Sequence, residues 1–194
     1  MTRYHPAVSK GASPAASYHL TCHCGQAALE TVGTPILAPV CYCTDCQEAG
    51  RQFEQLIHAP QVREGDGGTQ YVLFRTDRVR CVQGEHLLAE HRLSPDSKTR
   101  RVLATCCNSP MFLDVSQGHW LTLYRRRFAE PAPAVDMRVM TREKRPEVEL
   151  PNDVPNYPGH SGKFMWKLLR AWFAMGFRVP KVSWGKNRTA PTAY

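Results

Sequence analysis

The chain is expected to be mainly β, built of small antiparallel sheets and closed by a C-terminal amphipathic helix. Three observations predict this. From Ser17 onward the sequence runs in stretches of about four to eight residues, rich in β-branched and aromatic side chains and broken by turn residues. No glycine-rich nucleotide loop, βαβ alternation or internal repeat interrupts that pattern. Near the end, SGKFMWKLLRAWFAMGF carries helix start and stop signals around an apolar body.

Taken in order, residues 1–17 hold Pro, Ala and Ser with nothing to bury and read as a disordered leader. Residues 18–128 form the expected β domain, with strands over SYHL, AALETV, ILAPVCY, QLIHA, TQYVLFR, RVRCVQG, HLLAEHRL, RRVLATCC, PMFLDV and WLTLYRR. QYVLFRTDRVRCVQG predicts a hairpin around Thr76-Asp77, and EHRLSPDSKTRRVLA predicts a second, turning at Ser94-Pro-Asp-Ser. Residues 129–160 are Pro-rich and predict an extended connector with little regular structure.

Residues 161–194 predict a basic amphipathic helix and tail. Ser161 is the N-cap, and Gly176 and Pro180 end the helix. Lys163, Lys167 and Arg170 fall at i, i+4 and i+7 in one narrow basic stripe. Phe164, Met165, Leu168, Leu169, Trp172, Phe173 and Met175 cover the remaining surface. At ~1.5 Å per residue the helix spans only ~24 Å, too short to cross a bilayer. Two uses of residues 161–179 are expected: docking on the sheet or on a second copy in a homodimer, or lying peripherally in a membrane interface with lysines and arginines on the anionic surface.

The net charge of +8 is uneven, because residues 151–194 carry +6 of it. Such a tail suits an anionic surface or simple solvation, and nucleic acid is not the expected partner. The leader has no apolar run of the kind a secretory signal needs, so a reducing cytoplasm is the expected compartment. There, clustered cysteines read as metal or redox sites.

Seven of the eight cysteines cluster: Cys22 and Cys24 in CHC, Cys41, Cys43 and Cys46 in CYCTDC, and Cys106 and Cys107 in TCCNSP. Cys81 stands alone in a strand and reads as a small buried hydrophobe. Spacings of one and two residues strain a disulfide, whereas thiolates on a turn converge on a soft cation without strain. CHC needs partners, and TCCNSP is the obvious supplier, which gives Cys22, Cys24, Cys106 and Cys107 as one closed set. CYCTDC then keeps three thiolates and an open coordination position, the arrangement of catalytic zinc. Neighbouring strand residues face opposite ways, so Cys106 and Cys107 reach one ion only if the backbone turns there. Two architectural zincs, a single zinc with spare thiols, and a metal-free redox pair at Cys43 and Cys46 remain open on the residues alone.

YHLTCHCGQAALE, VCYCTDCQEAGRQF and RRVLATCCNSPMFLDV together resemble the glutathione-dependent formaldehyde-activating enzyme family, which includes centromere protein V. The resemblance runs from about Ser17 to Leu123. It implies a β-tent of small antiparallel sheets around a structural Zn2+ held by Cys22, Cys24 and Cys107, with Cys106 as the remaining thiol. It also implies a second, reactive Zn2+ at Cys41, Cys43 and Cys46. Gly25 and Gly50 match the family pattern. Ala104 stands where the pattern has a cysteine, Asn108 where it has glycine and Tyr42 where it often has histidine, so a divergent subfamily is expected. The implied activity is carbon–sulfur lyase chemistry on a thiol–aldehyde adduct such as glutathione-linked formaldehyde. Arg51, Arg75 and Arg100 are candidates to hold the glutathione carboxylates, and Asp45 to support the ligand turn. The alternative is a non-catalytic zinc module anchored to a membrane or partner by its basic C-terminal helix.

Overall fold

The computed structural model describes residues 16–185. The expected leader (apart from its last two residues) and the last nine residues of the tail lie outside them. The described chain is mainly β, with two sheets and two α-helices. The smaller sheet has the order β1 (Ser17–Thr21), β2 (Ala28–Val32), β5 (Val79–Gln83). The larger has seven strands, in the order β10 (Met137–Val139), β3 (Pro39–Cys41), β4 (Thr69–Arg75), β9 (Trp120–Tyr124), β8 (Ser109–Val115), β7 (Thr99–Ala104), β6 (Leu88–His91). All pairs are antiparallel except β10 with β3. Helix α1 spans Thr44–Glu54 and α2 spans Gly162–Phe173.

The larger sheet is buried on both faces, and strand alternation sorts its side chains. Val72 and Phe74 of β4, Val102 and Ala104 of β7, and Leu121 and Leu123 of β9 join one core with Leu20 and Leu29 of the smaller sheet. Their neighbours Tyr71, Leu73, Leu103 and Tyr124 join a second core with Phe53 of α1 and Phe164 and Leu168 of α2. Each core contains one thiol cluster at its edge.

The hairpin expected around Thr76-Asp77 does not form. β4 is a central strand paired with β3 and β9, and a single 3-10 turn at Thr76–Arg78 carries the chain across to the smaller sheet, where β5 pairs with β2. Turn residues mark a change of direction but not the sheet that the chain enters next. The second hairpin forms as expected between β6 and β7, closed by Ser97 N–H donating to Ser94 O at 3.0 Å.

QLIHA is not a strand: α1 ends before it, and His58 is exposed at φ 59° in a turn. α1 itself is not among the expected elements, because CYCTDC reads as a turn. Its buried residues Cys46, Ala49, Gly50 and Phe53 nonetheless repeat at i, i+3, i+4 and i+7, a helical period. Gly50 is needed on that face, because a β-carbon there would sit 2.5 Å from Cγ of Arg63, which crosses α1 to pair with Glu54 at 2.7 Å.

The Pro-rich stretch 129–160 is not wholly irregular either. β10 adds a parallel edge strand to β3, and Tyr157 N–H donates to Arg138 O at 2.9 Å on its other side. Arg138 also pairs with Asp153 at 2.7 Å, pinning the loop. α2 begins where expected: Ser161 Oγ accepts from Phe164 N–H at 3.1 Å.

Candidate metal and substrate site

Cys22 and Cys24 lie in the turn after β1, and Cys106 and Cys107 in the turn between β7 and β8. The backbone does turn at the paired cysteines, so both sulfurs reach one point. All four Sγ atoms lie within 4.8 Å of one another. The separations are 3.6 Å for Cys22–Cys24, 3.7 Å for Cys22–Cys106, 3.3 Å for Cys24–Cys106 and 4.0 Å for Cys106–Cys107. Tetrahedral zinc with Zn–S near 2.3 Å sets its sulfurs about 3.8 Å apart, so this donor set fits the ion.

Asn108 holds the turn at φ 52°, the left-handed region that asparagine tolerates. Gly25 does the same at φ 76° on the facing turn. Ala104, in the place of a cysteine, is fully buried inside β7, and Cys106 occupies the cluster instead. His23 is exposed, and only its backbone N–H serves the site, donating to Ser109 Oγ at 2.9 Å.

The second cluster sits where β3 gives way to α1. The sulfurs of Cys41, Cys43 and Cys46 lie within 4.8 Å of one another. Cys43 is the N-cap of α1, and Cys46 lies in its first turn. The positive end of the helix dipole therefore lies at Cys43 and Cys46, where it favours negative charge. Cys43 offers no side-chain cap; Glu143 supplies one from a distant turn, accepting from Thr44 N–H at 2.8 Å and Thr44 Oγ1 at 3.1 Å.

Each cluster contains one sulfur readied to ionise. Hydrogen bonds from the Cys41 and Cys43 thiols hold Cys46 well below the ordinary thiol value, against the opposing effect of burial. The Tyr71 hydroxyl adds to this, donating to Cys46 Sγ at 3.4 Å. Cys41 is pushed well above its ordinary value by the bonds that it gives to Cys43 and Cys46. In the first cluster burial raises Cys107, but the Ser109 hydroxyl and Cys24 outweigh it and bring Cys107 to about 7. Burial pushes Cys106 up.

The three-thiol cluster opens on a cavity of about 210 Å³. Leu113, Val115 and Trp120 wall it, and His160 and Phe164 from the C-terminal segment close it above. Arg101 lines it too, 2% exposed, its Nη2 donating to Asp45 O at 3.2 Å. That carbonyl ties the start of α1 to β7, while the Asp45 residue itself is exposed.

The arginines expected to hold carboxylates are engaged elsewhere. Arg51 pairs with Glu48 at 2.6 Å and Arg75 with Asp77 at 2.6 Å. Arg100 pairs with Asp114 at 2.9 Å on the opposite face of β7. Its neighbour Arg101 is the cavity-lining arginine that the sequence reading misses, although strand alternation alone puts adjacent arginines on opposite faces. Cys81 belongs to neither cluster; it is half-buried in β5, which is an edge strand, rather than a core residue.

No curated protein matches the chain. Three chains of solved structures do. One is the crystal structure of a Rhodobacter sphaeroides protein, a structural genomics target, at 15% identity and TM-score 0.42, covering 71% of this chain and 98% of its own. Residues 17–130 match the family model of the glutathione-dependent formaldehyde-activating enzyme, a stretch that is more than half of the chain and contains both thiol clusters. The chain therefore belongs to the glutathione-dependent formaldehyde-activating enzyme family.

Proposed function

We propose that this chain is a zinc-dependent carbon–sulfur lyase acting on small thiol–aldehyde adducts, with glutathione-linked formaldehyde the first substrate to test. The carrying observation is that Cys41, Cys43 and Cys46 form a group of three sulfurs, not four, on the wall of a cavity. Cys22, Cys24, Cys106 and Cys107 hold a structural zinc that joins the two sheets, and Cys41, Cys43 and Cys46 hold a second. Zinc there supplies Lewis acidity and one exchangeable position that suits a thiolate.

In the reaction an S-hydroxymethyl adduct loses its hydroxyl proton, the carbon–sulfur bond breaks, the electron pair stays on sulfur, and the carbonyl forms. The reverse direction adds a thiolate to the aldehyde. Leu113, Val115, Trp120 and Phe164 keep bulk water from the adduct. His160, at the cavity mouth, is the group that takes the hydroxyl proton. The Tyr71 hydroxyl fixes Cys46 and so the ligand set. NMR exchange between glutathione–formaldehyde adduct and its parts is the test. Turnover by the zinc-replete chain that Cys43→Ser abolishes supports the reading; no turnover with any of several small aldehydes overturns it.

A second reading has its own observation. Met165, Trp166, Leu169, Phe173, Phe177 and Val179 are exposed by 39–70%, on or just after α2, in a stretch that has cations at Lys163, Lys167, Arg170, Arg178 and Lys181 and no acidic residue. No helix among the described residues is long and apolar enough to cross a membrane. This face suits the surface of an anionic bilayer, with aromatics at the headgroup level. Sedimentation with phosphatidylserine vesicles tests it: Trp166→Glu with Phe173→Glu abolishes binding, and equal sedimentation of both proteins removes the reading.

A further inference from the structure

We propose that Arg101 makes the three-thiol cavity selective for a compact carboxylate, so that the adduct processed there carries its negative charge close to the reacting carbon. This rests on the lyase reading for the placement of a metal at the thiols, but the charge selectivity is independent of turnover. Arg101 is among the largest fully buried side chains, and among the described residues it forms no ion pair with a carboxylate, its neighbouring negative charge being the Cys46 thiolate. Its Nε and Nη1 have no hydrogen-bond partner. Its Nη2 donates to the Asp45 carbonyl. The Tyr124 hydroxyl is equally buried and lies beside Arg101 and Tyr71. A buried guanidinium is costly to leave unpaired, and its planar fork matches a carboxylate's two oxygens.

The cavity sets the size of the ligand. About 210 Å³ is below the roughly 300–1,000 Å³ of sites that enclose drug-sized molecules. A whole glutathione tripeptide does not fit inside; a short thiol, or the reacting end of a longer one, does. Leu73, Leu113, Val115, Trp120 and Phe164 give the cavity apolar walls, while Thr99, Thr122, Asp45 and His160 add polar groups to its lining, Arg101 being its one guanidinium. The ligand that satisfies all of this has a thiol or hemithioacetal end for the cysteine cluster, a short apolar body, and one carboxylate for Arg101.

The test is calorimetric binding of 3-mercaptopropanoate and of its neutral amide to the zinc-replete full chain. The two share a thiol and nearly a shape, and differ in charge. The expected result is affinity for the carboxylate at least about tenfold higher, as one charge-assisted contact provides, with R101M, loaded to the same zinc content as wild type, binding both equally. Equal affinities in the wild type, which would assign Arg101 to balancing the thiolate charge alone, overturn the proposal, as does a preference that survives in R101M. Should R101M fail to fold, R101K replaces it: a preference reduced at least about threefold by the lost fork supports the proposal, and an undiminished one overturns it. Failure of the lyase reading shows separately, as absent adduct turnover in the wild type.

Discussion

The sulfurs of Cys24 and Cys106 lie 3.3 Å apart although 82 residues separate them in the chain. One stands in the β1–β2 turn of the smaller sheet and the other in the β7–β8 turn of the larger. A cation gripped there ties the two sheets at their ends, where the core beneath holds Leu20, Leu29 and Val102.

Cys106→Ser is therefore expected to lose one equivalent of zinc and to lower Tm by about 10 °C, since metal binding to such a set is folding free energy. Cys81→Ser, at a thiol outside both clusters, is expected to change stability by less than about 1 kcal/mol. Elemental analysis and calorimetric melting of both variants check the pair. Equal effects would remove the staple.

Glu143 caps α1 from a turn that is 99 residues away from Thr44 in sequence. Glu143→Ala removes an acceptor for two donors at the helix start, and a loss of about 1 kcal/mol is expected. Because Cys43 is the N-cap itself, the same variant should release metal from the three-thiol cluster faster. Chelator competition kinetics measure this, and an unchanged release rate would show that the cap acts on stability alone.

His119 predicts a pH dependence for the docking of α2. Its Nε2 lies 2.8 Å from the Leu168 carbonyl oxygen, which requires a protonated Nε2 to donate, and its ring stacks on Trp172. Burial, partly offset by the Leu168 bond, holds its pKa below the ordinary 6.5. The folded state thus prefers neutral imidazole. Its contribution is complete above pH 6.5 and is lost as pH falls through the lower folded value. Trp172 emission should shift to the red over that fall, and His119→Phe should flatten the shift.

Phe164 is expected to be the side chain that joins α2 to the site, buried in one core with Cys46 and lining the cavity. Phe164→Ala should cost about 3 kcal/mol and open the cavity to water. Melting and adduct affinity should fall together. A variant that melts lower but binds equally would confine Phe164 to packing.

The spacing of the cysteines marks both thiol groups: Cys41, Cys43 and Cys46 can converge on their own turn, whereas Cys22 and Cys24 meet Cys106 and Cys107 only through strands far apart in the chain. Strand periodicity likewise yields most of both sheets, and Ser161 and its apolar followers yield α2. α1 escapes because the same six residues that signal metal also begin a helix. β10 escapes because three residues between prolines carry no periodicity, and only the exposed edge of β3 gives them a partner.

The amino-acid order alone determined the three short cysteine runs, the strand-rich character of the chain and the presence of a capped basic helix, all properties set by neighbours close in sequence. The tertiary structure alone decided that Thr76–Arg78 switches sheets, that Glu143 caps α1, that α2 roofs the three-thiol cavity and that Arg101, not Arg100, lines it. Those outcomes depend on which faces are buried against each other, and burial is a sum over contacts between segments far apart in the chain.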